Sequence, residues 1–102
     1  MITRFWHGWT ARENADAYER FLFTELFPQM RALTGFRGAD VLRRDEGVEV
    51  AFVTLTRFDT LDAIRAFAGD DYAAPVIEPT ARMLLSRYDT TALHFETASF
   101  EV

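Results

Sequence analysis

The chain has 102 residues, of which 49% are hydrophobic, and a formal net charge of −5 at pH 7. This length suits a single domain, residues 1–102, and the acidic balance carries no signal for nucleic-acid binding. The absence of cysteine and lysine excludes thiolate and Schiff-base chemistry, and no apolar run is long enough to cross a membrane. Without disulfides or an evident signal peptide, we expect a cytoplasmic protein.

The N-terminal third predicts a strand followed by a long helix. Met1 to Thr10 is rich in aromatic and β-branched side chains, which favours a strand. Thr10 and Glu13 have the spacing of a capping box, in which both side chains satisfy free N–H groups at a helix start. A helix is therefore predicted from about Asn14 to Leu33, and Pro28 should kink or interrupt it.

The middle of the chain predicts a hairpin. Gly35 is placed to end the first helix in a left-handed conformation. Two strands follow, Phe36 to Arg44 and Val48 to Phe58, because both are rich in β-branched and aromatic residues. Between them, Gly47 can supply the positive φ of a tight turn.

The remaining residues predict one more helix, a loop, a short helical piece and a last strand. Asp59 is placed to cap a helix over Thr60 to Ala68. The prolines make Asp70 to Glu78 an irregular loop, and a short helix can follow from Pro79 to Leu85. The last strand is centred on Ala92 to Thr97.

The predicted order of strand, helix, strand, strand, helix and strand is that of an α+β ferredoxin-like fold. Its split βαβ topology gives a four-stranded antiparallel sheet. Right-handed crossovers place the first strand centrally, with the last strand antiparallel beside it. His7 and His94 are then expected to face each other, although they lie near opposite ends of the chain.

Both faces of the first strand are apolar. Phe5, His7 and Trp9 share one face, while Ile2 and Trp6 share the other. Helices can cover only one face of such a sheet. Leaving the aromatic side chains of the other face in water would cost about 25 cal/mol per Å² of exposed apolar surface. The sequence therefore predicts a homodimer in which two sheets meet face to face.

The chain resembles the antibiotic-biosynthesis-monooxygenase-like members of the dimeric α+β barrel superfamily over nearly its whole length. The segment RFDTLDAIRAFAGD is the most specific part of this resemblance. The other segments that carry it are RFWHG at residues 4–8, LRR at 42–44, LLSRYD at 84–89 and LHFE at 93–96. In that family a tryptophan often stands where this chain has Phe58, and a tyrosine where it has Phe95.

The resemblance implies a homodimer with a pocket between sheet and helices in each subunit. Characterised members include cofactor-free oxygenases that act on polycyclic phenols, and haem-degrading enzymes. Haem degradation is disfavoured here, because neither histidine lies in a predicted helix, where the resemblance would place an axial ligand.

The two histidines are the candidate general bases. Imidazole has an ordinary pKa of about 6.5, which suits ionisation of a phenol or enol before reaction with dioxygen. A structural role for both histidines in the sheet stays open, since histidine alone is weak evidence for catalysis. A second alternative is a metal site formed by His7, His94 and Glu96, but no metal or other cofactor is predicted.

Aromatic and basic side chains are the candidate substrate contacts. Trp6, Trp9 and Phe67 could line a flat pocket for a small aromatic ligand, or could simply pack in the core. Tyr72 lies in the irregular loop and is predicted to orient the ligand. Arg57 is favoured over Arg4 and the pair Arg43 and Arg44 as the cation that stabilises an oxyanion, because it precedes the second helix.

The sequence thus predicts a cofactor-independent monooxygenase that acts on a small aromatic, phenolic or quinol-type metabolite. His7 or His94 would be the base and Tyr72 an orienting group. The alternative is a binding protein of the same fold, with a pocket but no turnover. Neither nucleic acid nor a membrane is an expected partner.

Overall fold

A computed structural model describes all residues from Met1 to Val102. Strands and helices follow one another as the sequence predicts, except that the C-terminal part forms two short strands instead of one. The elements are β1 (Ile2–Ala11), a 3-10 turn (Arg12–Asn14), α1 (Ala15–Phe21), a π-helical segment (Leu22–Leu26), α2 (Phe27–Met30), β2 (Phe36–Asp45), β3 (Glu49–Phe58), α3 (Leu61–Ala68), α4 (Pro79–Leu84), β4 (Leu85–Tyr88) and β5 (Leu93–Glu96).

The sheet is antiparallel and has β1 at its centre. Its order is β2-β3-β1-β4, and β5 also pairs with β1, beyond β4 along the same edge. The predicted α+β ferredoxin-like architecture is therefore correct, with five strands in place of four. The residues between Tyr88 and Leu93 separate β4 from β5, so the last strand is divided between both ends of β1.

The first helix is continuous from Ala15 to Met30 but changes its winding. Pro28 has no N–H to donate to the carbonyl of Thr24, the partner that an α-helix would require. The chain adopts a π-helical turn at Leu22–Leu26 just before the proline, which is a common accommodation of a break in the α-helical ladder. The interruption predicted at Pro28 therefore takes the form of a π turn, and the helix does not break.

Both predicted helix caps are wrong. No side chain caps the start of the 3-10 turn or of α1, because β1 extends through Thr10 and buries that residue in the sheet. At α3, the hydroxyl of Thr60 accepts from the N–H of Ala63 over 3.1 Å. Asp59 instead pairs with Arg37 at the surface.

Gly35 ends the turn after α2 with a φ of 90°. A side chain there would be strained in two ways, since an added Cβ would lie 2.8 Å from the Cβ of Ala63 in α3. Gly47 has a φ of 88° in the β2–β3 turn, as predicted. The two glycines thus fix the entry into β2 and its exit.

Helices cover one face of the sheet, which we call the inner face. Two groups of buried side chains lie there, one around Tyr18 and Phe52 and the other around Phe58 and Ile64. The opposite, outer face carries Leu42 on β2 and Leu93 and Phe95 on β5, each about half exposed. None of the helices combines the length and the hydropathy of a membrane span.

Candidate functional site

A cavity lies between the two groups of core side chains. The register pairs Arg4 with Thr56 and Trp6 with Thr54, so these four side chains project from adjacent strands to the inner face. Leu22 and Leu26 face them from the two ends of the π-helical segment. The lining consists of Arg4, Trp6, Tyr18, Phe21, Leu22, Leu26, Phe27, Met30, Thr54, Thr56, Phe67, Val76, Glu78 and Ala81.

The cavity is narrow and mostly apolar. It comprises about 540 Å³ of space between atoms, part of it open to solvent, of which about 40 Å³ can hold the centre of a water molecule. Ten of its 14 lining residues are hydrophobic. A flat aromatic molecule fits this composition, but its entry requires the walls to move apart.

One end of the cavity opens to the surface beside the loop that precedes α4. A shallow surface depression shares several lining residues with it, namely Leu26, Met30, Phe67, Val76 and Glu78. The carboxylate of Glu78 forms no salt bridge. An unpaired acidic side chain therefore stands at this mouth, where loop residues form one wall.

Arg4 is a buried cation without an acidic partner. Only 4% of the residue is exposed, and each ion pair of the structure involves another arginine. Its guanidinium lies 5.7 Å from the ring centre of Phe67. Burial lowers the pKa of Arg4 to about 10, so the side chain keeps its charge at neutral pH. A buried charge of this kind is stabilised by an anion.

The guanidinium of Arg4 ties the loop to the sheet. Nη1 donates to the carbonyl oxygen of Tyr72, and Nη2 donates to that of Ala74 over 2.9 Å. Nη1 also lies 3.0 Å from Nε2 of His94. These three bonds leave two of the five N–H groups of the guanidinium, the Nε–H and one on Nη2, without an acceptor in the protein. They are available to a bound ligand.

Three hydroxyl groups complete the polar lining. Tyr18 is 2% exposed, and its hydroxyl makes no hydrogen bond within the protein, as is also the case for the side chains of Thr54 and Thr56. Burial raises the pKa of Tyr18, so its phenol stays protonated and can donate. The fully enclosed side-chain atoms without a partner are Nε2 of His7 and Oγ1 of Thr10. The hydroxyl of Tyr18 is therefore accessible from the cavity, where it can donate to a ligand.

His94 contacts the guanidinium of Arg4 but does not itself line the cavity. Arginine can only donate, so Nε2 of His94 must accept and the ring proton must reside on Nδ1. Burial, and then the charge of Arg4, lower the pKa of His94. The imidazole is neutral at pH 7 and holds Arg4 in place through its lone pair.

The expected meeting of the two histidines is wrong. His94 pairs with Arg4 in the register, whereas His7 pairs with Val53 and belongs to the other row of β1. Side chains alternate along a strand, so the two imidazoles lie on opposite faces of the sheet. His7 stacks on Trp9 with ring centres 3.9 Å apart, and neither of these residues lines the cavity.

Arg57, the favoured cation, also lies away from the cavity. It belongs to the outer face and pairs with Asp40 on β2. The residue that sequence reasoning ranked too low is Arg4. The alternation of β1 placed Arg4 beside Trp6 and Ile2, but only the pairing partners show that this row faces the helices.

The other predicted substrate contacts lie only in part at the cavity. Trp6 and Phe67 line the cavity. Tyr72 lies in the loop as predicted, but its ring packs edge-on against His94 at 5.0 Å and does not line the cavity. Its backbone carbonyl is the group that contacts Arg4.

The alternative metal site is not formed. His94 and Glu96 share the inner face of β5, while His7 is on the outer face. The three side chains therefore cannot meet around one ion. No group of three or more histidine, aspartate or glutamate side chains lies close enough to hold a metal.

Known structures share this fold across its full length. SnoaB, described as a cofactor-independent oxygenase from Streptomyces nogalater, superposes with a TM-score of 0.66 and 16% identity, over 97% of this chain and 95% of its own. A putative antibiotic biosynthesis monooxygenase from Bacillus cereus gives 0.63 and 12%, over 98% and 97%. A variant of MhuD with two manganese protoporphyrin IX molecules bound per active site gives 0.62 and 19%, over 100% and 99%.

These similarities confirm the fold inferred from the sequence, a ferredoxin-like α+β subunit with an antiparallel sheet. No protein-family model and no curated protein sequence matches the chain. A shared fold does not determine the reaction, which depends on the side chains that line the cavity.

Proposed function

We propose that the protein binds a small planar phenol or enol in the cavity as its anion and oxygenates it without a bound cofactor. The observation that carries this proposal is Arg4, a buried cation with two free N–H groups and no acidic partner. Aromatic walls from Trp6 and Phe67 suit a flat ring. The oxygenase fold supports the reaction class but not the substrate.

Arg4 performs the main electrostatic task in this proposal. A phenolate or enolate beside the guanidinium is favoured over its neutral form, because an adjacent positive charge lowers the pKa of an acid. The dry, apolar surroundings strengthen that attraction. The proton leaves toward the mouth, where Glu78 is the acidic side chain among the lining residues.

The reaction needs no external reductant if the substrate has a ring carbon that carries two hydrogens in its keto form. Its anion gives an electron to dioxygen, and the two radicals combine at that carbon. Breakage of the O–O bond leaves one oxygen atom as a carbonyl and releases the other as water, together with both hydrogens of the carbon. The carbon supplies all four electrons, and the product is a quinone or ketone.

His94 and Tyr72 act through Arg4 in this proposal. His94 accepts from Nη1, while the Tyr72 carbonyl accepts from the same nitrogen. The two acceptors fix the orientation of the guanidinium, which is what makes it a prepared site for charge. His7, Trp9 and Arg57 have no part in this site, because their side chains lie on the outer face.

A second candidate function is binding without turnover. It is favoured by the observation that neither imidazole lines the cavity, which leaves the site without a base of near-neutral pKa. In that case the protein would retain the phenolate and release it unchanged.

The same proposal includes a homodimer. The outer face carries Leu42, Leu93 and Phe95, each about half exposed. A second copy placed against this face would cover them. Cytoplasmic location stays a prediction of the sequence.

Binding and oxygen uptake with a panel of bicyclic phenols test the proposal. We expect binding to weaken more than tenfold in Arg4→Met, since charge-assisted hydrogen bonds contribute about 1.5–3 kcal/mol. Arg57→Met is the matched control and should bind normally. Oxygen consumption with equimolar ketone or quinone formation identifies the enzyme, and binding without consumption identifies the binding protein. Equal binding by wild type and Arg4→Met would overturn the assignment of the site.

A further inference from the structure

We infer that the ligand carries a hydrogen-bond acceptor, such as a ring ketone, at the end remote from its anionic oxygen, and that the phenol of Tyr18 donates to it. This inference rests on the proposed function and adds the substrate class. It assigns Tyr18 as a specificity-determining residue. The acceptor end distinguishes a hydroxylated aromatic ketone from a plain phenol.

The hydroxyl of Tyr18 is a hydrogen-bond donor that has no acceptor within the protein. The residue is 2% exposed, yet it lines the cavity. Its hydroxyl forms no hydrogen bond within the protein and is not one of the fully enclosed unpaired polar atoms. It is therefore accessible to a ligand in the cavity. The raised pKa, caused by burial, means that the group donates and does not carry charge.

Tyr18 and Arg4 lie at separate ends of the cavity. The ring of Tyr18 packs edge-on against Phe52, with centres 4.9 Å apart, and Phe52 pairs with Gly8 in the register. Arg4 is four positions earlier on β1, about 14 Å along the strand at roughly 3.4 Å per residue. Trp6 is at the intermediate position of β1, and its ring leans over Gly8, close to the Tyr18 end. The cavity thus has a cationic end at Arg4 and an aromatic end with a neutral donor.

The two ends have different chemistry, which orients the ligand. An anionic oxygen is favoured at Arg4 by charge, while a neutral ketone is sufficient for the phenol of Tyr18. Placing the ligand in reverse would put an anion against Tyr18, in the part of the cavity surrounded by Phe21 and Leu22. That arrangement is unfavourable, because an unpaired buried charge is costly.

The test compares two bicyclic phenols of one skeleton. A hydroxytetralone has a ketone on the ring that does not carry the hydroxyl, and the corresponding tetrahydronaphthol lacks this ketone. We expect Tyr18→Phe to weaken binding of the hydroxytetralone about tenfold, as loss of a hydrogen bond does. Binding of the tetrahydronaphthol should not change. Tyr88→Phe, which removes a phenol hydroxyl outside the cavity, should affect neither ligand.

The outcomes separate this inference from the proposed function. If Tyr18→Phe binds both ligands as wild type does while Arg4→Met loses both, the inference is wrong and the proposed function stands. If wild type binds neither ligand, both are overturned. The melting temperature provides a second readout, since removal of an unpaired hydroxyl should not lower it. A clear drop in Tyr18→Phe would mean that the hydroxyl is paired inside the protein, which also overturns the inference.

Discussion

Arg4 donates a hydrogen bond to His94 over 3.0 Å, although the two residues are 90 positions apart in the sequence. The contact exists because β1 and β5 are antiparallel neighbours and pair these residues directly. It determines the state of both groups. The imidazole must be neutral to accept, and the guanidinium is held where it can also reach the loop.

Protonation of His94 should destabilise the fold. Burial and the charge of Arg4 lower the native pKa below the ordinary value of 6.5, so the unfolded state takes up the proton first as pH falls. The contribution of His94 to stability is therefore constant above its ordinary pKa and is lost as the pH falls below it. Urea unfolding between pH 5 and 8 should show this decrease in wild type and in His7→Gln, but not in His94→Gln.

The same contact can be tested directly by nitrogen NMR. At pH 7 the Nδ1 of His94 should carry the proton and Nε2 should be unprotonated. A decrease in stability of equal slope in His94→Gln, or a protonated Nε2 at neutral pH, would contradict the account.

Loss of Arg4 should loosen the loop before α4. Its guanidinium donates to the carbonyl oxygens of Tyr72 and Ala74, and both acceptors lose their donor in Arg4→Met. Hydrogen exchange should become faster for the amides of residues 70–78 and for Ala92, which donates to the carbonyl of Ala73 in the same loop. Arg57→Met is the control. Unchanged exchange in Arg4→Met would show that the loop is held by other contacts.

A charge on the outer face should dissociate the expected dimer. Leu42 lies opposite Val53 on this face and is 52% exposed. In Leu42→Glu, dimer formation would bury a carboxylate without a partner, which is strongly unfavourable. Light scattering should give the mass of two chains for wild type and of one chain for the variant. A wild-type protein with the mass of one chain would overturn the dimer.

The start of α3 depends on Thr60 rather than Asp59. Thr60 accepts a hydrogen bond from the N–H of Ala63, and removal of such a cap costs about 1 kcal/mol. Thr60→Ala should therefore lower the free energy of unfolding by about that amount. Asp59→Ala loses only an exposed ion pair with Arg37 and should have a smaller effect. The reverse order in thermal or urea unfolding would restore the capping role to Asp59.

Element order was predictable because it depends on local properties. The alternation of β-branched residues, the glycine at the β2–β3 turn and the proline in the first helix each act within a few residues. The split βαβ topology then follows from general rules of strand connection. These rules placed β1 centrally, next to the C-terminal strand.

The site was less predictable because it depends on register. A shift of one residue exchanges the faces of a strand, so sequence alone could not decide whether Arg4 and Trp6 or His7 and Trp9 face the helices. Tyr18 belongs to the apolar stripe of the first helix, and its unpaired hydroxyl is visible only once its neighbours are known. The cap predicted at Thr10 failed for a related reason, since tertiary pairing extended β1 through this residue.

The π-helical turn at Leu22–Leu26 also bears on how the cavity arose. A π turn is equivalent to an α-helix that has gained one amino acid, and the gain rotates everything after it by about 100°. The shape of the cavity therefore depends on the direction in which the residues after the π turn point, as well as on side-chain volume. Shortening the helix by a single position would turn Leu26 and Met30 away from Tyr18, a rearrangement that no exchange of side chains could reproduce.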